Sequence, residues 1–214
     1  MKMKIAIDGP SGAGKSTIAK KLSEILKIPY LDTGAIFRAV AWALIEKDVN
    51  LKDVSEVEQR VSEMDVRLEI DRIIVDGVDI TDRIRTDEIS AAASTVSQYP
   101  KVRAYVHEIE EKASQGSVIM DGRDIGTVVL PNAEFKFFIT ASDTVRARRR
   151  VEQLGLDASE YESVLSAIRK RDEQDRTRTE APLTKAPDAI LISTDNATVD
   201  ESVAEILTHM RGVK

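Results

Sequence analysis

The chain has 214 residues, a length that suits one domain with room for an inserted subdomain. Hydrophobic residues make up 42% of it and charged residues 32%, as in ordinary globular proteins, and a formal net charge of −6 argues against a dedicated nucleic-acid-binding protein. The lack of cysteine excludes disulfides and thiolate metal sites, and the lack of a signal-peptide pattern or a membrane-length apolar stretch predicts a cytoplasmic enzyme.

The first predicted elements are a short buried strand over residues 4–8 and an amphipathic helix that starts near Ile18. Between them lies a glycine-rich segment that fits the phosphate-binding pattern G-x-x-x-x-G-K-[ST]. This segment consists of Gly9, Pro10, Ser11, Gly12, Ala13, Gly14, Lys15, Ser16 and Thr17. The flanking strand and helix are the context that the pattern requires, so they disfavour the alternative of a glycine-rich turn that binds nothing.

The glycine-rich segment predicts an ATP site. Its glycines allow successive backbone N–H groups to turn inward around an anion, and the helix that follows directs its positive end to the same point. Lys15 can reach the outer phosphates, and the hydroxyl of Ser16 can hold a magnesium ion. Both residues therefore point to the chemistry of a nucleoside triphosphate.

The next predicted elements are a strand over residues 28–32 and a helix that Thr33 can cap. Arg38 lies one turn into this helix, near the carboxyl end of the strand. Ligands of α/β proteins bind at that end of a strand, which favours a functional role for Arg38. The alternative is an ordinary ion pair at the surface.

Residues from about 50 to 95 change from a helical to an alternating pattern. Val66, Leu68 and Ile70 alternate with charged residues, and the dipeptide Asp76-Gly77 is typical of a tight hairpin turn. We therefore expect a small antiparallel insert in this region. The polar, alanine-rich stretch at its end gives no clear assignment.

The α/β pattern resumes after a helix that starts at Pro100. The remaining strands of a five-stranded, doubly wound parallel sheet are predicted at 117–121, 134–139 and 189–192. Since the carboxyl ends of such strands share one edge, we expect the glycine-rich segment, Asp121 and Arg123 to lie along that edge.

Four arginines lie near the ends of predicted strands or in the loop after a helix predicted at about 159–172. They are Arg38, Arg123, Arg171 and Arg178. Guanidinium groups clamp phosphate through paired hydrogen bonds, so these arginines predict a second anion site beside the first. Two phosphates held in line are what phosphoryl transfer requires. The run from Arg146 to Arg150 instead predicts a solvated basic face; the acidic chain disfavours a nucleic-acid patch.

Several stretches resemble those of bacterial cytidylate kinases, and the resemblance extends over essentially the whole chain. These stretches are Ile7–Lys15, Leu31–Arg38, Ala92–Ser94, Pro100–Arg103, Asp121–Val129 and Arg171–Arg178 with Ala181-Pro182-Leu183. The last three, in this order, are more specific than the phosphate loop alone. Departures from the family pattern are mild: Thr33 stands where Ser is common, Phe37 where Tyr is common, and Ser16 where some members have Gly.

The resemblance implies an α/β fold of the P-loop kinase type. Its three α/β/α layers would surround a central, mainly parallel five-stranded sheet, with a small antiparallel-sheet insert at the acceptor site and a short lid. A single domain over residues 1–214 would have a core at about 1–49, 100–154 and 184–214. The insert that binds the nucleoside monophosphate would span about 50–99, and the lid with its supporting helix about 155–183.

The resemblance also assigns site residues. The implied CMP contacts are Thr33, Arg38, Ser94, Arg103, Arg123, Asp124, Arg171, Asp175 and Arg178. Among them, the acceptor phosphate is assigned to Arg38, Arg123 and Arg178, the ribose to Arg171 and Asp175, and cytosine to Ser94, Arg103 and Asp124. An ordinary ion pair between Asp124 and Arg103 is the alternative to the last assignment.

The catalytic residues implied in this way are Lys15, Arg123 and Arg178. We expect ATP to contact residues 9–17 and Arg150, and Mg²⁺ to accompany ATP, with Ser16 as a ligand and Asp121 in the outer coordination shell. The expected reaction transfers the γ-phosphoryl group of ATP to CMP or dCMP in a monomer without nucleic-acid or membrane partners. Rival interpretations are transfer to UMP, AMP or shikimate, or a nucleotide-dependent switch.

Overall fold

The structure is a computed structural model that describes residues 2–69 and 72–212. Ile70, which the sequence assigns to the alternating pattern of the insert, lies outside the described residues. The chain divides into two compact units, described separately below. The first unit is Met1–Leu31 with Gly116–Lys214, and the second unit is Asp32–Gln115.

The strands of the described residues are β1 (Lys4–Asp8), β2 (Tyr30–Asp32), β3 (Val66–Glu69), β4 (Arg72–Val75), β5 (Val78–Asp79), β6 (Val118–Gly122), β7 (Phe135–Thr140) and β8 (Ile190–Ser193). The α-helices are α1 (Lys15–Leu26), α2 (Thr33–Ile45), α3 (Val54–Ser62), α4 (Asp87–Val96), α5 (Pro100–Ala113), α6 (Asp143–Leu154), α7 (Tyr161–Thr177) and α8 (Val199–Gly212). A π-helical turn covers Ile125–Val129, and a 3₁₀ turn covers Ala158–Glu160.

The main sheet contains, among the described residues, five strands in the order β2-β6-β1-β7-β8. β1 pairs in parallel with β6 and β7, and β7 pairs in parallel with β8. The carboxyl ends of β1, β6 and β7 therefore share one edge, and the segments that start at Gly9, Arg123 and Ala141 leave the sheet there. The predicted α/β fold with a central parallel sheet is confirmed.

Apolar side chains cover both faces of β1. Ile5 and Ile7 belong to one buried cluster together with Ile18 and Leu22 of α1, whereas Ala6 belongs to a second cluster. Successive residues of a strand point to opposite faces, so both faces of the sheet are buried, as is usual for parallel sheets. This packing fixes the carboxyl end of β1, from which the phosphate loop starts.

The second unit contains the predicted antiparallel insert, in which β3, β4 and β5 pair in that order. Val75 faces Val78, and the two residues between them, Asp76 and Gly77, have φ angles of 50° and 82°. Two consecutive positive φ angles are the signature of the tight hairpin turn that the sequence predicts. α4, whose N-terminus is capped by Thr86, occupies the polar, alanine-rich stretch for which the sequence gives no clear assignment.

Two details of the helices correct the sequence analysis. Asp32, not Thr33, caps α2, because its carboxylate accepts a hydrogen bond from the N–H of Ala35 while Thr33 is already helical. α7 continues to Thr177 instead of ending near residue 172, since residues 173–177 contain no glycine or proline. Within the described ranges, no helix combines the length and the apolar character needed to cross a membrane.

Candidate active site

The phosphate loop, residues 9–17, begins at a glycine with a positive φ angle, and a second such glycine, Gly14, lies where its backbone enters α1. Gly9 has a φ of 147°, and a Cβ atom there would lie 1.9 Å from the carbonyl oxygen of Ile139 in β7. Backbone cannot move aside as a flexible side chain does, so the loop requires glycine at this position. Gly14 has a φ of 89° and directly precedes α1, whose first N–H groups therefore face the loop.

The ammonium group of Lys15 lies inside the phosphate loop. Its Nζ donates a hydrogen bond of 2.8 Å to the carbonyl oxygen of Pro10. Burial, followed by the positive charge of Arg123, lowers the pKa of Lys15 to about 7, although Asp121, Asp175 and Asp8 oppose that shift. An anion in the loop would favour the charged form of Lys15.

Ser16 and Asp121, the two residues that the sequence analysis assigns to Mg²⁺, are hydrogen-bonded to each other. The Ser16 hydroxyl donates to Asp121 Oδ2 at 2.9 Å, and the Tyr30 hydroxyl donates to Oδ1 at 2.8 Å. A hydroxyl and a buried carboxylate are hard oxygen donors, so these residues fit Mg²⁺. In the part of the chain that the structure describes, no group of three or more His, Cys, Asp or Glu residues is arranged to hold a metal ion.

Two arginine–carboxylate ion pairs of the first unit are formed between residues that are predicted to bind CMP. Arg123 Nε donates to Asp175 Oδ2 at 2.7 Å, and Arg178 Nη2 donates to Asp124 Oδ1 at 3.2 Å. Burial opposes ionisation of Asp175, but the charges of Arg123, Arg171 and Arg178 more than compensate and hold its pKa below the usual range. Asp175 therefore stays charged and keeps Arg123 in place.

Arg146 is a site residue that the sequence analysis missed. It was expected on a solvated basic face, but its side chain is only 3% exposed. Two of its nitrogens bind the Asp172 carboxylate at 3.0 and 2.5 Å, Nη1 also donates to Ser11 O at 3.1 Å, and Nε donates to Ala141 O. The prediction is wrong here because Asp172, on another helix, supplies the opposite charge that makes burial of Arg146 possible.

The other residues of the arginine run differ from Arg146. Arg149 donates to the hydroxyl oxygen of Thr194 at 3.0 Å, and that hydroxyl donates to Ala13 O in the phosphate loop at 3.0 Å. Arg150, predicted to contact ATP, is half-buried and donates to Gln153 Oε1 at 3.4 Å. Thr194 is thus a second support of the phosphate loop that no local sequence pattern indicates.

Asp8 is the third residue that sequence reasoning did not single out. It is 4% exposed at the end of β1, and its two carboxylate oxygens accept hydrogen bonds from the N–H groups of Ile125 and Gly126 at 2.8 and 2.7 Å. Burial raises its pKa to about 6, although both hydrogen bonds lower it. The sequence shows Asp8 only as the last residue of a strand, because its partners lie far along the chain.

The remaining predicted contacts lie in the second unit. Thr33 is buried, and Arg38 forms an ion pair with Asp32 at 2.8 Å. The guanidinium of Arg103 lies 5.6 Å from the centre of the Phe37 ring, a cation–π distance, and it donates to Ser97 O at 3.2 Å. Half-buried Ser94 lies one turn before Ser97, whose hydroxyl donates to Ser94 O.

Comparisons of the sequence with known proteins agree on one family. The family model described as cytidylate kinase matches residues 5–212. A cytidylate kinase of Caldanaerobacter subterraneus subsp. tengcongensis is 46% identical over 98% of this chain and 95% of its own length. A cytidylate kinase of Carboxydothermus hydrogenoformans is 45% identical over 96% of this chain and 96% of its own length. A solved shikimate kinase from Bacteroides thetaiotaomicron, 14% identical over 99% of each chain with a TM-score of 0.53, shares the fold.

Proposed function

This chain belongs to the cytidylate kinase family and is a nucleoside monophosphate kinase, and on that premise we propose that it transfers the γ-phosphoryl group of ATP to CMP and dCMP. The observation that carries the proposal is the common sheet edge at which the phosphate loop and the segment bearing Arg123 and Asp124 both start. One anion-binding loop and a separate arginine beside it suit a reaction between two phosphates.

The phosphate loop would bind ATP through residues 9–17. Its backbone N–H groups and the start of α1 supply a positive concavity, and Lys15 is already in the loop beside Pro10 O. When phosphates enter, Lys15 can exchange that carbonyl for a phosphoryl oxygen and stabilise the charge of the transferring group. Arg150 remains our predicted contact to the rest of ATP.

Mg²⁺ would be held by the hydroxyl of Ser16, with the Asp121 carboxylate orienting that hydroxyl from the outer coordination shell. When bound, Mg²⁺ would neutralise charge on the ATP phosphates. Tyr30 supports the arrangement from the other side, since its hydroxyl donates to the second oxygen of Asp121.

The acceptor phosphate would be held by Arg123 and Arg178, each of which is oriented by an ion pair with a carboxylate. Guanidinium groups carry several N–H donors in a fixed plane, a geometry that suits paired hydrogen bonds to a phosphate. Arg171 and Asp175 are our proposed ribose contacts. By resemblance we also assign Thr33, Arg38, Ser94 and Arg103 of the second unit to CMP.

The choice of base would depend on Asp124. A carboxylate accepts a hydrogen bond from the N4 amino group of cytosine, whereas uracil presents an acceptor oxygen at the same place. A site that leaves polar groups unpaired rejects such a mismatch by up to about 10⁴-fold. We therefore expect kcat/KM for CMP to exceed that for UMP, with AMP and GMP poorer still.

The test is a kinase assay with CMP, dCMP, UMP, AMP, GMP and shikimate, run on the wild type and on Asp124→Asn. The amide keeps the shape and adds a donor for uracil, so the CMP/UMP ratio of kcat/KM should narrow or reverse. Asp195→Asn, a change of the same type at a half-buried carboxylate that we assign to neither substrate, should leave the ratio unchanged. An unchanged ratio in Asp124→Asn would show that Asp124 does not read the base. Slow ATP hydrolysis without use of CMP would instead indicate a switch.

We further propose a cytoplasmic monomer whose core covers about residues 1–49, 100–154 and 184–214. The acceptor insert at about 50–99 and the lid at about 155–183 complete this proposed division. Light scattering of the purified protein, with and without both nucleotides, tests the oligomeric state.

A further inference from the structure

Asp8 links the start of the phosphate loop to the segment that carries the proposed acceptor residues. It immediately precedes Gly9, and its carboxylate reaches the N–H groups of Ile125 and Gly126 on the segment after the neighbouring strand β6. Both bonds are buried and short, at 2.8 and 2.7 Å. This carboxylate has no part in the reaction as proposed above.

The two N–H groups that Asp8 accepts from open the π-helical turn Ile125–Val129. The first N–H groups of a helical turn have no acceptor within that turn, so a side chain from elsewhere has to supply one. Asp8, at the end of β1, supplies this acceptor. The turn that it holds directly follows Arg123 and Asp124 in the chain. The direction of this short segment is therefore set by a residue of the phosphate-loop strand.

Gly126 makes the close approach possible. A Cβ atom at this position would lie 3.2 Å from Asp8 Oδ2 and 3.2 Å from Cδ of Lys136. The segment is thus confined between a carboxylate on one side and a buried lysine stem on the other. Glycine at 126 therefore leaves room for the contact that the carboxylate of Asp8 makes.

We propose that Asp8 is a positioning residue for the acceptor: it fixes Arg123 and Asp124 relative to the phosphate loop by holding the N–H groups of Ile125 and Gly126. The inference rests on the proposed roles of Arg123 and Asp124 in binding CMP. Burial of an ionisable carboxyl group is unfavourable, and it raises the pKa of Asp8 to about 6. A carboxylate at this position therefore costs folding free energy that an uncharged polar side chain would not.

Asp8→Asn tests the proposal because the amide replaces one acceptor oxygen with a donor that faces an N–H group. We expect the KM for CMP to rise about tenfold, the effect of losing one hydrogen bond of ordinary strength. The Kd for ATP should change less than about twofold, since the phosphate loop itself is untouched. Gly126→Ala, whose Cβ would lie 3.2 Å from Asp8 Oδ2, should disturb the same contact and raise the KM for CMP to a smaller extent. Asp195→Asn is the matched control, because that carboxylate accepts from the N–H and hydroxyl of Ser142 at the same sheet edge.

Amide hydrogen exchange gives a readout that does not depend on the reaction. In the wild type the amides of Ile125 and Gly126 should exchange slowly, and in Asp8→Asn they should exchange faster while the rest of β1 and β6 stays protected. Fast exchange of both amides in the wild type would overturn the proposal even if neither variant folds. An equal loss of ATP and CMP binding, or reduced stability with unchanged KM, would make Asp8 a structural residue only. A wild type that does not phosphorylate CMP would contradict the proposed function instead, whatever the exchange rates.

Discussion

The phosphate loop and the arginine–carboxylate pairs, which we propose to bind the phosphates of ATP and CMP, are built in opposite ways. The loop is one continuous segment whose backbone conformation follows from glycines at fixed positions. The pairs join residues far apart in the chain: 52 positions separate Arg123 from Asp175, and 54 separate Asp124 from Arg178. The first kind of site is encoded locally and the second only by the tertiary fold. Substitutions should therefore affect the two regions differently.

The largest expected effect is on stability, at the buried pair Arg146–Asp172. Asp172→Asn leaves the Arg146 charge buried without its counter-ion, and we expect the free energy of unfolding to fall by about 3 kcal/mol. Asp143→Asn removes the partner of exposed Arg169 between the same two helices, and it should cause a much smaller loss. Urea unfolding of the three proteins measures both changes. Equal losses would mean that burial does not distinguish the two pairs.

The next effect is on turnover and concerns the phosphate loop. Lys15→Met should fold normally and lose at least about 10²-fold in kcat, because one preorganised donor to the developing charge is typically worth that much. Lys20→Met, at an exposed position on the same helix, serves as the control. Steady-state kinetics at saturating ATP and CMP compares the two variants. Near wild-type kcat in Lys15→Met would remove this residue from the mechanism.

Arg178→Ala tests the other region. Loss of a charged hydrogen-bond donor should raise the KM for CMP at least about tenfold. ATP affinity should change little, since the phosphate loop remains intact. Arg176→Ala, two positions earlier on the exposed side of α7, is the matched control. If ATP affinity and CMP KM worsen to the same extent, Arg178 serves the donor or only the fold.

The smallest expected effect is proton uptake on ligand binding, which should occur at the phosphate loop and not at the arginine–carboxylate pairs. In the free enzyme the pKa of Lys15 is about 7, below its ordinary value, so the ammonium is largely deprotonated at pH 8. Bound phosphates favour the charged form and raise the pKa, so ATP binding at pH 8 should be accompanied by proton uptake at that residue. ATP affinity should accordingly fall as the pH rises above 7.

Calorimetry of ATP binding in two buffers of different ionisation enthalpy measures this uptake, and Lys15→Met should abolish it. Asp175 gives the contrast, since Arg123 already lowers its pKa and CMP binding should leave it charged. Proton uptake at pH 8 that persists in Lys15→Met would assign the titration to another group.

The same contrast explains how far the sequence could predict the molecule. The phosphate loop, the alternation of the main sheet and the Asp76-Gly77 hairpin are local patterns, and the structure agrees with them. Asp8 and Arg146 could not be predicted, because their roles depend on groups that only the folded chain brings near. The end of α7 was misplaced because polar residues without glycine or proline carry no local stop signal. The sequence analysis placed the cap of α2 at Thr33, one residue too late, because Asp and Thr are both residue types that cap helices.

The contact between Arg146 and Asp172 has a mechanical consequence. Arg146 lies near the start of α6 and Asp172 near the end of α7, so the pair fastens these antiparallel helices together at one end, and the bond to Ser11 O fastens that end to the phosphate loop. These bonds therefore couple α6 and α7 to the phosphate loop, so a change in the position of Ser11 O would act directly on Arg146 and, through Asp172, on α7.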